Sequence, residues 1–431
     1  MGQTAPHRRV KPRRAGVFGS IGRERLQMEP SPPAVAAEAA DLLFSLPAHL
    51  LDGILGRLAR HPRRRPHLRA LPRLAPQAVD RVLLRYTGPR VPRFSFTVDS
   101  ASASHVDHWL VALSRRRVES ISIYNRFETG FERTPTILRS YIFSCAHLVS
   151  LNLEFFIISS LPVGFAGLHV LEELYLSDVE FADDGERHLQ AIIHGSPLLR
   201  VLYLSDVDNP AACVIEAPNF HSLTLRSTYD FDWRFGELPC LQYASIDVSE
   251  PEDLDFRKFL ARLSQVRELT LWLPGNGVEI GTTPFTFYNL KSLELSTYFW
   301  DMDQILLMFS LLRSFPNLEK LTIEVRAMVG EETEWEFLSA QWTDGMCANL
   351  QVVEICSCCQ GLPISFMKLI LSKASHLRTL SVDTCPVSQD DPLNKLLKCR
   401  RASAQAQVLF KVQLEGVRFN RMYERMQKMA H

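Results

Sequence analysis

The phrase L-x-x-L-x-L returns along most of this chain and limits its possible folds more than any other feature. Clear copies are Leu148/Leu151/Leu153, Leu171/Leu174/Leu176, Leu199/Leu202/Leu204, Phe220/Leu223/Leu225, Val266/Leu269/Leu271, Leu290/Leu293/Leu295, Leu318/Leu321/Ile323 and Leu377/Leu380/Val382. Looser copies are Val118/Ile121/Ile123, Leu241/Ala244/Ile246 and Leu350/Val353/Ile355. Their first positions are separated by 21 to 32 residues, mostly in the twenties. A unit of that length cannot bury its own apolar face, so it gains stability only by stacking on its neighbours.

The phrase reads as a short strand. Its second and third apolar residues point into a core, and the residues between and after them point to the other side. Some connecting segments have helical spacing, notably residues 186–193 and 304–312. The period is that of leucine-rich repeats. The expected fold is therefore α/β: a curved leucine-rich-repeat solenoid with parallel strands on its concave side, preceded by a short helical segment. The Asn that commonly follows the L-x-L phrase is mostly missing, which predicts an irregular convex side.

Composition narrows the function. With 431 residues, 46% of them hydrophobic, the chain can bury a large core. Its 48 basic residues balance 48 acidic ones, which argues against bulk attraction to nucleic acid or membrane. Nine cysteines in such a length do not make a disulfide scaffold. Residues 1–9 lack an apolar signal core, and the apolar run 305–312 falls far short of the ~20 residues that span a bilayer. The expectation is a soluble protein of the reducing cytosol or nucleus.

The chain divides by pattern. Residues 1–40 are basic and rich in Pro and Ala, and read as a disordered tail. In residues 41–77, Leu46, Leu50, Leu51, Ile54, Leu55 and Leu58 share a helical face. Ser45 is placed to cap that helix, and Pro47 sits in its first turn. An irregular Arg/Pro run follows, in which Pro62, Pro66, Pro72 and Pro76 forbid a long helix. Residues 78–117 read as a linker and entry cap. Helical spacing returns there at Val79, Val82, Leu83 and Tyr86, β alternation at Phe94, Phe96 and Val98, and a second helical face at Val106, Trp109, Leu110 and Leu113. The repeats occupy 118–384. Residues 385–431 form a C-terminal cap and tail in which Val408, Phe410, Val412 and Leu414 alternate as a last strand.

Two of these features together resemble one family. The Leu46-Pro47…Leu50-Leu51…Ile54-Leu55…Leu58 pattern looks like the first helix of an F-box, and it precedes a leucine-rich-repeat array. Residues 349–384, from Asn349-Leu350 through Gly361, Phe366 and Leu369 to Leu377-Arg378-Thr379-Leu380, are similar to the FBD motif. The whole resembles plant F-box/leucine-rich-repeat proteins, the grass type in particular. The resemblance implies a non-catalytic substrate-recognition subunit of a Skp–cullin–F-box ubiquitin ligase. Leu46, Pro47, Leu50, Leu51, Ile54 and Leu55 would contact the Skp-type adaptor, and the repeats would hold a target protein. The chain departs from the family at 59–77, where further F-box helices are expected. That departure supports the alternative of a repeat scaffold with a non-functional F-box and no ligase role.

For the target, the strand positions facing away from the core form a row that reads as neutral and hydroxyl-rich. Tyr175, Tyr203 and Trp272 are its candidate anchors, joined by Glu294 and Glu354, because aromatic residues dominate binding hot spots. The alternative is that these are ordinary strand residues and the target sits on loops or at one end. The aromatic segments 229–235 and 298–300 read as packing, the first as an extra strand. Cys356-Ser357-Cys358-Cys359 lacks the paired spacing of a zinc site and reads as a reduced cluster. Arg115-Arg116-Arg117 reads as a helix end. No phosphate-binding loop, zinc-protease, nucleophile-elbow or dinucleotide motif is found. No catalytic residue, metal ligand, cofactor, nucleic-acid partner or membrane partner is therefore expected.

Overall fold

The computed structural model describes residues 76–412, apart from 87, 89, 100, 126–134, 183–184, 208–212, 228–233, 249–255, 274–285, 300, 327–333, 358–361, 385–395 and 397. All described residues belong to one compact unit. The F-box-like helix and the Arg/Pro run as far as residue 75 lie outside the described residues.

Each phrase becomes a strand. In chain order these are β1 (Arg93–Val98), β2 (Ser120–Asn125), β3 (Thr136–Leu138), β4 (Ser150–Ile158), β5 (Glu173–Phe181), β6 (Val201–Ser205), β7 (Val214–Ile215) and β8 (Ser222–Ser227). Then follow β9 (Arg234–Phe235), β10 (Tyr243–Val248), β11 (Glu268–Trp272), β12 (Ser292–Thr297), β13 (Lys320–Val325), β14 (Val352–Ser357), β15 (Thr379–Thr384) and β16 (Gln407–Val412). The main sheet is open and runs β1-β2-β4-β5-β6-β8-β10-β11-β12-β13-β14-β15-β16, with β3 beside β4; β7 and β9 pair separately. Every pairing is parallel. The register is constant: Leu151 faces Leu174, Leu174 faces Leu202, and Leu202 faces Leu223.

The phrase explains what is buried. Its second and third apolar residues are enclosed in every copy, as is the first, which fills the core at the turn. Burying one Leu side chain contributes roughly 1.5–3 kcal/mol, and the gain recurs in each repeat.

A second repeat lies in the backbone. The carbonyl of Glu119 accepts from both Val149 N (2.7 Å) and Ser150 N (3.0 Å). The Val149 carbonyl accepts in turn from Glu172 N and Glu173 N, that of Glu172 from Arg200 N and Val201 N, and that of Arg200 from His221 N and Ser222 N. The pattern continues through His221, Gln242, Arg267, Lys291, Glu319 and Gln351. Side chains reinforce it just before the first apolar residue. Asn219 Nδ2 donates to the Pro197 carbonyl (2.8 Å), Asn317 to that of Tyr288 (2.9 Å) and Asn349 to that of Pro316 (3.1 Å). The array therefore has an Asn ladder, placed ahead of the phrase and not after it.

The opposite side is irregular, as the missing Asn predicts. Helices Gly185–His194, Met302–Arg313, Trp335–Gln341 and Ile364–Lys373 fill some connections, while others have no helix among the described residues. Strands pack ~4.8 Å apart and helices 8–10 Å apart, so the sheet takes the inner arc of the curve. Helix Met302–Arg313 starts on Asp301, whose Oδ1 accepts from Asp303 N (3.0 Å) and Gln304 N (3.3 Å). Buried Gln304 ties that helix to β12 by accepting from Thr297 Oγ1 (3.0 Å) and Tyr298 N (2.9 Å). Gly167 has φ +115°, and a Cβ there would lie 2.0 Å from the Gly195 carbonyl oxygen, so two neighbouring connections meet backbone to backbone.

The first strand is closed by a cap. Trp109 lies on helix Val106–Ser114, packs on Phe96 at 4.6 Å and donates from Nε1 to Asp80 Oδ1 (2.6 Å) on helix Pro76–Arg85. Arg116 donates to the Ala112 carbonyl (2.8 Å) and the Leu83 carbonyl (2.7 Å), joining the C-terminal turns of both helices. The Arg triplet is thus a helix end, where cations are favoured.

The two ladders carry different weights. Leu295→Ala, in the core, should cost about 2–5 kcal/mol, and Asn317→Ala about 1 kcal/mol, in urea unfolding followed by circular dichroism. Equal losses would show that the apolar phrase does not dominate stability.

Candidate functional site

Because the register never slips, the face of the sheet turned away from the core is made of straight columns with one residue per repeat. The middle column contains Asn152, Tyr175, Tyr203, Thr224, Ser245, Thr270, Glu294, Thr322, Glu354 and Ser381. Tyr175 and Tyr203 are direct register partners, with ring centroids 6.2 Å apart. They form one aromatic step and not two separate anchors.

The hydroxyl row behaves differently from the sequence expectation. Thr224, Ser245, Thr270, Thr322 and Ser381 are each 7% exposed or less. Short side chains in this column sink below their longer neighbours and form the floor of the face. What a partner would meet is the larger side chains. The face is also not neutral. Its three columns carry eight carboxylates: Glu154, Asp247, Glu324 and Asp383 in one, and Glu173, Glu268, Glu294 and Glu354 in the other two. Four cations in these columns oppose them, Arg93, Arg226, Lys320 and Lys411, and Arg326, just past β13, adds a fifth over Trp272. The correction has a simple cause: the hydroxyls that made the row read as neutral are sunk in its floor, which leaves the carboxylates to dominate what is exposed.

Trp272 occupies the centre of the column nearest the strand ends. Its register partners are Asp247 on one side and Ser296 on the other. The Arg226 guanidinium lies 4.9 Å from the indole centroid and that of Arg326 4.7 Å; Arg326 is also 5.3 Å from the Tyr298 ring. Arg226 donates from Nε to Asp247 Oδ2 at 2.9 Å. The Asp247 side chain is only 5% exposed, and its Oδ1 has no hydrogen-bond partner; Ser296 Oγ, on the other flank of the indole, has none either. Burial pushes the Asp247 carboxyl up to about 6, although Arg226 and Arg326 pull the other way; Asp206 adds to the rise. Arg326 and Tyr298 lie beyond their phrases, so the repeat pattern gave no signal for them.

Glu354 is held differently. Lys320 Nζ lies 2.9 Å from its Oε2, and Thr322 Oγ1 donates to the same oxygen (3.3 Å). Burial works to raise its carboxyl, but the Lys320 hydrogen bond and charge outweigh it, with help from Thr322 and Lys411, and hold it below the ordinary value. At the other end of the strands, a groove of about 430 Å³ is lined by residues that include Glu173, Arg200, His221, Tyr243, Arg267 and Glu268. Acids and bases interleave there.

The other singled-out residues pack. Phe235 packs against Phe259 at 4.9 Å between ring centroids, and buried Phe299 against Phe366 at 5.3 Å. Only Arg234–Phe235 of the first aromatic segment is a described strand, and residues 229–233 and 300 lie outside the described residues. Cys145 and Cys347 are buried thiols pushed up to about 12 by burial. Cys356 is half-buried, with Sγ 3.9 Å from Asp383 Oδ2, while Cys358 and Cys359 lie outside the described residues. Among the described residues no group of three or more His, Cys, Asp or Glu is placed to hold a metal ion, and no helix is long and apolar enough to cross a membrane.

Known proteins share this architecture. The leucine-rich-repeat model of the FBD-associated F-box protein At5g56370 matches residues 106–272, and the leucine-rich-repeat domain model of At1g61320/AtMIF1 matches residues 197–412. The Arabidopsis thaliana F-box/FBD/LRR-repeat protein At1g13570 is 27% identical over 356 residues, 76% of this chain and 82% of its own length. The putative F-box protein At1g57690 of the same plant is 25% identical over 68% of this chain and 86% of its own length. The putative FBD-associated F-box protein At1g05080, also of Arabidopsis thaliana, is 24% identical over 64% and 71% respectively.

Asp247 makes stability depend on pH. Its folded value is about 6 against an ordinary 3.8, so between about pH 4 and 6 the native state holds more protons than the unfolded chain. Stability then falls as pH rises through that window and levels off above it. Asp247→Asn should remove this component, so that its melting temperature gains on wild type from pH 4 to 6.5. Parallel melting curves for the two proteins across that range would rule the component out.

Proposed function

Because the chain belongs to the plant F-box/leucine-rich-repeat proteins, we propose that it is the substrate-recognition subunit of a Skp–cullin–F-box ubiquitin ligase. The observation that carries this reading is one continuous outward sheet face, built from a column position in every repeat and carrying Tyr175, Tyr203 and Trp272. Such a face holds a protein and performs no bond chemistry. The chain would act as a non-catalytic adaptor. Leu46, Pro47, Leu50, Leu51, Ile54 and Leu55 contact the Skp-type adaptor and so connect to the cullin core. Tyr175, Tyr203, Trp272, Glu294 and Glu354 take part in holding the target. Ubiquitin transfer then follows from proximity, since the ligase brings its charged conjugating enzyme to the bound target.

A second reading is favoured by Pro62, Pro66 and Pro72 and the Arg/His residues among them. They stand where the rest of the F-box module belongs, and a lone amphipathic helix is marginal in water. On that reading the repeats are a scaffold without a ligase.

Pulldown of a plant Skp-type adaptor by the full chain separates the two. The ligase reading expects capture by wild type and at least a tenfold loss in the Leu50→Asp/Leu51→Asp double variant. No capture by wild type would sink it in favour of the scaffold. Capture unaffected by the double variant would remove the assigned contact residues.

A further inference from the structure

The acidic excess of the outward face has a consequence for the class of target. The chain as a whole carries formal charge +0, yet eight carboxylates stand against four cations in the columns of this face. The excess belongs to the face and not to composition.

The chemistry at its centre adds an independent sign. The face binds guanidinium groups already. Two of them, Arg226 and Arg326, stack on Trp272, and one of these bridges to Asp247. Trp is the ring that holds cations best. Asp247 still has an acceptor oxygen that is buried and unpartnered, and Ser296 Oγ on the other flank of the indole is in the same condition. A buried polar atom without a partner has lost its water and gained nothing in return, so each marks a position where an arriving N–H donor gains more than it would in water. Arg226 is 40% exposed, so it can shift and admit a donor to Asp247.

Shape completes the argument. Neighbouring strands are ~4.8 Å apart, and an extended chain advances ~3.3 Å per residue, so a segment crossing the strands meets a new repeat every one to two residues. We propose that this face takes an extended arginine- or lysine-rich segment of the target protein, laid across the strands from the Tyr175–Tyr203 step past Trp272 to the Glu294, Glu324 and Glu354 region. The proposal rests on the reading that the target is held on the sheet face, and it names the chemistry of that target. Nucleic acid, with one charge per phosphate, is repelled by the same columns.

The test uses the full chain and three fluorescent probes in anisotropy titrations: a twelve-residue Arg–Ser alternating peptide, a Glu–Ser counterpart and a twelve-nucleotide single-stranded RNA. The Arg–Ser peptide should bind at least tenfold more tightly than either other probe, and its affinity should fall as salt rises from 50 to 300 mM. Glu154→Lys/Glu294→Lys/Glu324→Lys should weaken it at least tenfold. A control with equal charge change off the strands, Glu237→Lys/Glu336→Lys/Asp344→Lys, should stay within twofold of wild type. No preference for the basic peptide, a preference for RNA, or equal losses in both triple variants overturns the proposal. A benzophenone on the Arg–Ser peptide separates the two levels of failure. Cross-links to strand positions such as Tyr203, Thr270 or Glu294 support the proposal. Basic-peptide binding that cross-links only to the helical side overturns the assigned face, and with it the reading that the target is held there, while adaptor capture remains a separate result.

Discussion

Everything else in this structure depends on the turn carbonyl that accepts two N–H groups from the next repeat. The Glu119, Val149, Glu172 and Arg200 carbonyls each do this, and the pattern runs on to Gln351. Two donors on one acceptor fix both the distance and the offset between neighbours. No repeat can slide, because a slip of one residue would move its Leu residues to the outward face. The variation in repeat length is therefore expelled to the other side, where one connection is a twelve-residue helix, Met302–Arg313, and another has no described helix at all. A constant register with variable connections makes a surface of columns, and columns turn scattered residues into one face.

That arrangement also explains how the array tolerates an unfavourable residue. Asp247 is buried on a strand whose partners on either side are well formed, and only one of its oxygens is ion-paired. In a solenoid, stability is close to a sum over repeats and their interfaces, so a local cost in one repeat is shared with neighbours that carry none. The ends need more. At the start, Trp109, Asp80 and Arg116 lock two helices against the first strand through directed hydrogen bonds, since among the described residues no strand pairs with β1 on its other edge.

The strands were legible in the sequence because their signal is local. Two buried residues one apart, three beyond a turn residue, recur with the same spacing whatever lies between. The helices at 185–194 and 302–313 were legible for the same reason, each carrying its own apolar stripe. What was missed depends on neighbours outside the segment. β3 and β7 are too short to show a period, and each exists only through its pairing partner. The Asn ladder escaped because it precedes the phrase. The floor-like burial of Thr224 and Thr270 is set by side chains one and two strands away, and the pairing of Arg326 with Trp272 joins residues 54 positions apart. The contact of Tyr175 with Tyr203 was within reach, since both occupy the same position of successive phrases.

Charge shows the same limit from another side. A formal charge of +0 with a strand face of eight carboxylates and four cations requires the matching positive excess to lie elsewhere on the chain. At physiological salt the Debye length is about 8 Å, less than two inter-strand spacings of ~4.8 Å each, so each approaching cation feels only the two or three repeats beneath it. Recognition on this face is then decided repeat by repeat. Trp272, with a guanidinium drawn from two strands to either side, is the place where the most repeats act together on one side chain.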